Sequence, residues 1–255
     1  MLDYLPLDQI LFLDIETVSE LDHFDSLDPD LQKFWELKAG RFTAARDAGW
    51  THELAASLYE QKAAIFAEFG RVIVISVAVL YLRDGQWSLR AKSFTEDSET
   101  ELLRAFSQLL NEYADKHPGN FYLCGHNIKE FDIPYLCRRL FINGLPLPGL
   151  LNMSGKKPWE TPLLDTMEMW KFGDFKNYTS LALLARILGV PGPKEDMNGG
   201  DVGRVYWKEK DLTRIAHYCE KDVATVAQIM LRFQGKDLIP EERISSATQS
   251  TKAES

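Results

Sequence analysis

Cysteine is scarce. The 255 residues contain three, Cys124, Cys137 and Cys219, and none falls in a CxxC pair. An odd number without paired spacing argues against a disulfide framework and a cysteine-rich zinc site, and fits reduced thiols in a cytoplasmic protein. Long apolar runs are also missing. The longest, Val72 to Leu82 with only Ser76 interrupting, falls short of the roughly 20 residues that a membrane-spanning helix needs, so no membrane association is expected. The opening Met1-Leu2-Asp3-Tyr4 has no basic segment, so no secretory leader is expected. Basic charge is in deficit: 29 Lys and Arg face 38 Asp and Glu, a formal net charge of -9. That balance argues against sequence-independent nucleic-acid binding over a broad basic face. It leaves room for an enzyme that grips a short strand in one cleft.

What is present can build one substantial core, since 45% of the residues are hydrophobic and 11% aromatic. Ile10-Leu-Phe-Leu13 reads as a buried strand, Val72–Val79 as a central β-branched strand, and Trp87–Ala91 as its hairpin partner through Arg83-Asp-Gly85. Ser98 and Glu101 match a capping box ahead of Leu102, Leu103, Phe106, Leu109 and Leu110 at helical spacing. Phe121–Cys124 reads as a strand followed by a helix from about 128 to 143, and further helices are expected near 180–188 and 211–232. A hairpin-like group of strands followed by alternating strands and helices predicts a mixed α/β sheet flanked by helices. Between the first two strands, about 20–69 is helix-like, which predicts a helical hairpin inserted into the connection, with Gly40 and Gly49 as punctuation. One domain over 1–234 is expected, with a disordered polar tail over 235–255.

Three short segments concentrate acids. In Asp14-Ile15-Glu16 the carboxylates are two apart on a strand and share a face. Oxygen ligands of this kind suit Mg²⁺ and Mn²⁺. In Asn127-Ile-Lys-Glu-Phe131-Asp132 an asparagine able to cap a helix precedes an acid in its first turn. Tyr218 and Asp222 are four apart on a helix and share one side. Each segment alone has an ordinary structural alternative: a strand end turning into solvent, an N-capped helix, an exposed charged face.

Their order resembles the DEDD superfamily of 3′–5′ exonucleases. The branch most similar is the one related to the proofreading domain of family-B DNA polymerases, including stand-alone bacterial proteins of that type. The three motifs are matched by Asp14 and Glu16 with Thr17, by Asn127, Phe131 and Asp132, and by Tyr218 and Asp222. Thr179-Ser180-Leu181 and Leu188-Gly189-Val190 with Lys194 extend the resemblance over about 10–233, while the 20–69 segment departs from a minimal domain. The resemblance implies a ribonuclease H-like sheet carrying that helical insertion. It implies two Mg²⁺ or Mn²⁺ ions on Asp14, Glu16, Asp132 and Asp222, with Asp14 bridging them and the Tyr218 hydroxyl positioning the attacking water. Thr17, Asn127 and Phe131 are then expected to contact the terminal nucleotides, with Lys194 and the Gly155-Lys-Lys-Pro-Trp159 loop as further candidates. Asp165 reads as a structural cap rather than a fifth ligand.

A sister branch uses H-x₄-D, and His217 also satisfies that spacing. A helix starting near Asp211 turns His217 about 140° away from Asp222, which selects Tyr218. The expected activity is hydrolysis of single-stranded DNA from its 3′ end to nucleoside 5′-monophosphates. The alternatives are the same chemistry on RNA, or a non-catalytic nucleic-acid-binding subunit of a polymerase or repair assembly. A further reading has the insertion dock a partner protein.

Overall fold

The computed structural model describes residues 5–42, 49–119, 121–157, 160–174, 176, 178–192 and 197–248. Strand β1, Ile10–Ser19, is a central member of the sheet. It pairs antiparallel with β2, Gly70–Arg83, which pairs antiparallel with β3, Gln86–Phe94. On its other side β1 runs parallel to β4, Tyr122–Gly125, and β4 parallel to β5, Leu163–Asp165. A short strand β6, Ile244–Ser246, lies parallel to β3, giving the order β5-β4-β1-β2-β3-β6. Only β2 runs against the others, as a ribonuclease H-like sheet requires.

Alternation along β1 divides its side chains between two cores. Leu11, Leu13 and Ile15 enter the layer formed by α3, Glu99–Lys116, and α4, Asp132–Ile142. Ile10 and Phe12 enter the opposite layer, where α7, Leu212–Phe233, supplies Val223, Val226 and Met230. The same parity carries Asp14 and Glu16 onto the α7 face. Past Glu16 the ladder shifts, Glu16 facing Val74 but Thr17 facing Val72, so Ile73 is an extra residue on β2. This bulge turns both Ile73 and Val74 toward Val18 and α7, closing an apolar floor beyond the acids.

The insertion is a helical hairpin, as its composition predicts. Helices α1, Pro29–Ala39, and α2, His52–Lys62, close around Trp35, whose indole donates to the Ala55 carbonyl at 3.0 Å. Asp28 caps α1 through the Asp30 amide with Pro29 in the first turn, and Gly40 closes it. A buried ion network ties the insertion to the sheet. Arg139 on α4 is only 4% exposed, and its guanidinium grips Glu99, the Ala67 carbonyl at 2.9 Å and Glu20 at 2.9 Å. Glu99 in turn accepts the Val72 amide at 2.8 Å.

Three local expectations change. Ser98 precedes α3 without a side-chain cap bond, while Glu99, the first residue of the helix, is committed to Arg139. The helix expected from 128 begins at Asp132, and Asn127 is a turn residue with φ 67° rather than its cap. The Asp165 carboxylate takes the amides of Asn127 and Lys129 at 3.0 and 3.2 Å and holds that segment as a turn. The polar segment from Gly235 is ordered as far as 248, contrary to the disorder expected there. The Gln228 side chain bonds both backbone groups of Ile239, and Ser246 and Thr248 hydroxyls satisfy the buried Glu220 carboxylate. Polar residues are what that packing needs. The rest of the expected tail, 249–255, lies outside the described residues. Among the described residues no helix is long and apolar enough to cross a membrane, and all three cysteines are free thiols.

Candidate active site

Three elements converge beyond the end of β4. The β1–β4 ladder stops at Phe12 and Cys124, and β1 continues without that neighbour. Gly125 makes the exit possible. A Cβ there would stand 2.8 Å from the Ile128 Cβ and 2.9 Å from the Leu13 carbonyl oxygen, closer than packed atoms approach. The chain then turns through Asn127 into α4, whose first residue is Asp132.

Asp14 and Glu16 approach from β1, Asp132 from α4, and Tyr218 and Asp222 from α7. Ligand atoms of Asp14, Glu16 and Cys219 lie within 4.8 Å of one another. The Cys219 thiol donates to the Asp14 carboxylate at 3.2 Å, a contact that the strand-and-helix reading missed because it considered only the acids. Burial holds the Asp14 carboxyl well above its ordinary range, and the charges of Asp132, Glu16 and Asp222 push it further. Glu16 is raised by burial and then by Asp222 and Asp132. Asp132 is pushed up to about 7 by burial, against the restraining bonds from its own amide and that of Ile15, with the Asp165 charge adding to the rise. The Tyr218 phenol is raised as well, by burial, the Asp222 charge, Glu16 and its hydrogen bond to Asp222. These shifts place all four carboxylates and the phenol in one electrostatic neighbourhood.

His217 goes elsewhere. It is exposed and lines a separate cavity of about 240 Å³ with Thr95, Thr213 and Thr248. Helical geometry from the Asp211 cap, which accepts the Arg214 amide at 3.0 Å, therefore separates the two candidates as expected. Asp165 is the cap expected of it. It receives the Met167 and Glu168 amides at the start of α5, Thr166–Lys171, besides those of Asn127 and Lys129.

A cleft of about 770 Å³ opens beside Glu16, the one of the four acids in its lining, and is lined also by Thr17 and Phe131. Gln61, Ala64 and Ile65 of the insertion form one wall, and Arg204, Trp207 and Lys208 stand in another. The latter come from a helical turn, Val202–Arg204, that runs into a π-helical stretch, Val205–Glu209, a form common at functional sites. Trp207 is fixed there by its indole bond to the Ser19 hydroxyl at 3.1 Å. Neither wall was foreseen; the basic and aromatic run 204–210 was the available signal. Of the expected substrate contacts, Phe131 is half-buried in the cleft lining with its ring 5.4 Å from that of Tyr135. The Thr17 hydroxyl is engaged with the Ala64 carbonyl at 2.8 Å, so it binds the insertion to β1. The buried side-chain oxygen of Asn127 has no hydrogen-bond partner among the described residues. Lys194 lies outside the described residues, as do the last two residues of the Gly155–Trp159 loop.

The chain is a nuclease, a hydrolase of nucleic acid, by the family it matches. The chain belongs to the family described as predicted 3′–5′ exonucleases related to the exonuclease domain of PolB, whose model matches residues 65–252. That span contains Asp132, Tyr218 and Asp222; Asp14 and Glu16 precede it. Among solved structures, the chain is similar to the RNase domain of the yeast Pop2 protein, at 14% identity and a TM-score of 0.44, over 89% of this chain and 77% of that one. No curated protein matches it.

Proposed function

We propose that the protein is a cytoplasmic 3′–5′ exonuclease that hydrolyses single-stranded DNA ends to nucleoside 5′-monophosphates. Asp14, Glu16, Asp132 and Asp222 would hold two divalent cations, Mg²⁺ or Mn²⁺. The observation that carries this reading is the mutual pressure among the acids. Asp14 is driven toward its neutral form by burial and by three neighbouring carboxylates at once, and bound dications would relieve that pressure. A cluster maintained at such cost has no use in a protein that only binds nucleic acid. The donor set fits, being mainly hard oxygen ligands drawn from separate elements. Two such ions, when bound, stabilise the charge that develops on the attacking and leaving oxygens and lower the pKa of a bound water.

The remaining work falls to the chain's own groups. The Tyr218 phenol, kept protonated and bonded to Asp222, can orient the attacking water through its oxygen without itself ionising. The half-buried ring of Phe131 offers a face to any terminal base, which suits sequence-independent trimming. The unpartnered Asn127 oxygen offers an acceptor to a sugar hydroxyl of the terminal nucleotide. The free thiols agree with a reducing compartment.

The experiment is incubation of the full chain with 5′-labelled single-stranded DNA and RNA of the same sequence, with Mn²⁺, Mg²⁺ or EDTA. A ladder shortening from the 3′ end, faster on DNA and abolished by EDTA, supports the reading. Faster loss of RNA transfers it to the ribonucleotide substrate, and cleavage that persists in EDTA removes it.

A further inference from the structure

We infer that Phe172 and Tyr178, which stand in the connector at the end of α5 and ahead of α6, Leu181–Ile187, offer stacking faces to unpaired bases of the strand whose 3′ end enters the carboxylate cleft. This inference rests on the nuclease reading above. Phe172, which closes α5, is 85% exposed and has φ 44°, a left-handed conformation that bulky residues rarely adopt. Tyr178, at the far end of the connector, is 70% exposed. Neither ring contributes to a core. The backbone accepts an unfavourable geometry to point an aromatic ring at solvent, a pattern associated with functional sites. Lys171 and the exposed Lys176 neighbour these rings in sequence, with one acid, Asp174, between them accepting the Lys176 amide at 3.2 Å, so bases and phosphates of one strand find partners within a short segment.

Both roots of the connector are tied to the turn that leads into Asp132. At the start of α5, Asp165 bonds the amides of Asn127 and Lys129. At the other root, His126 donates from Nε2 to the Thr179 carbonyl at 2.8 Å, and its Nδ1 lies 3.0 Å from the Thr166 hydroxyl. Burial lowers the His126 pKa, against the Thr179 bond and the Asp165 charge. Trp170 stacks on Phe233 with centroids 6.4 Å apart and anchors α5 on α7. Six helical residues rise about 9 Å, so Phe172 stands roughly that far from the turn, along a rigid arm. An exposed aromatic pair alone would suit a protein equally well. Two lysines against one acid over 171–178, in a chain of net charge -9, and the tie to the Asn127 turn favour a polyanionic strand.

The test uses Phe172→Asn combined with Tyr178→Ser, because asparagine tolerates the left-handed backbone while removing the ring. Steady-state kinetics are compared on a trinucleotide and on a single strand of about 15 nucleotides. The inference expects KM for the longer strand to rise about tenfold with kcat unchanged, trinucleotide kinetics to stay at the wild-type level, and Phe172→Trp to retain wild-type KM on both. An unchanged KM on the longer strand overturns the platform and leaves the nuclease reading standing. Equal losses on both substrates also overturn it, by placing the effect in the cleft or the fold. A wild-type chain that cleaves neither substrate removes the nuclease reading and the platform with it.

Discussion

The carboxylate of Asp132 accepts the backbone amide of Ile15, the residue between Asp14 and Glu16, at 3.2 Å. One bond therefore fixes the start of α4 against the strand position that projects the other two acids, across 117 residues of sequence. Asparagine can keep that acceptor while removing the charge. Asp132→Asn should fold normally and lose at least about a hundredfold in kcat, an electrostatic contribution of ordinary size. Asp132→Ala should also lose about 1–3 kcal/mol of stability, because the buried Ile15 amide is left unpaired. Circular dichroism melts beside turnover assays separate the two effects, and equal melting of both variants would refute the role of the bond.

The acids make the metal-free fold sensitive to pH in an unusual direction. Asp14, Glu16 and Asp132 hold protons more tightly folded than unfolded. Their contribution is fully present below the unfolded carboxylate pKa of about 4, and is lost as pH rises through the folded value, about 7 for Asp132. In EDTA the Tm should therefore fall between pH 5 and pH 8, and Asp132→Asn should shrink the fall. His126 is shifted downward and acts in the opposite sense, so the difference between the two proteins is the informative quantity. A fall of the same size in Asp132→Asn would contradict the assignment.

Tyr218 and His217 are neighbours in sequence with different surroundings, Tyr218 among Asp222, Glu16 and Asp14 and His217 lining a separate cavity. Tyr218→Phe keeps the packing and loses the hydroxyl, so kcat should drop by roughly a hundredfold with little change in KM. His217→Ala should stay within about twofold of wild type. The reverse ranking in a kcat comparison would move the catalytic role to the histidine.

Arg139 and Glu99 form a buried pair that joins α4, α3, β2 and the insertion. Arg139→Met should cost about 3–5 kcal/mol, since it leaves Glu99 charged and dry. That corresponds to a Tm loss of roughly 10 °C for a chain of this size. Arg139→Met combined with Glu99→Leu should recover much of the loss. A double variant no more stable than the single one would show that the pair's worth lies in its geometry rather than in charge compensation.

Much of the site was legible because its geometry follows from periodicity. Alternation puts Asp14 and Glu16 on one face of β1, and helical phase puts Tyr218 beside Asp222 and His217 on another side. The helix-like composition of 20–69 likewise announces the helical hairpin. What was hidden depends on partners far apart in sequence. The turn at Asn127 forms because Asp165 reaches back to its amide, and the buried partner of Glu99 is Arg139, 40 residues further on. The ordered stretch before 249 was read as disordered for the same reason, as its hydroxyls find Glu220 only once α7 is packed. The cleft wall contributed by Gln61, Ala64 and Ile65 could not be assigned before the insertion's docking was known.

The account depends most on the capacity of these acids to hold a pair of dications. Isothermal titration of Mn²⁺ into the EDTA-stripped chain, wild type beside Asp14→Asn, tests this directly. Two ions per wild-type chain, and loss of at least one or a large weakening of both in the variant, are the predicted result. Wild-type protein that takes up no Mn²⁺, or a variant that binds it as wild type does, would contradict the account.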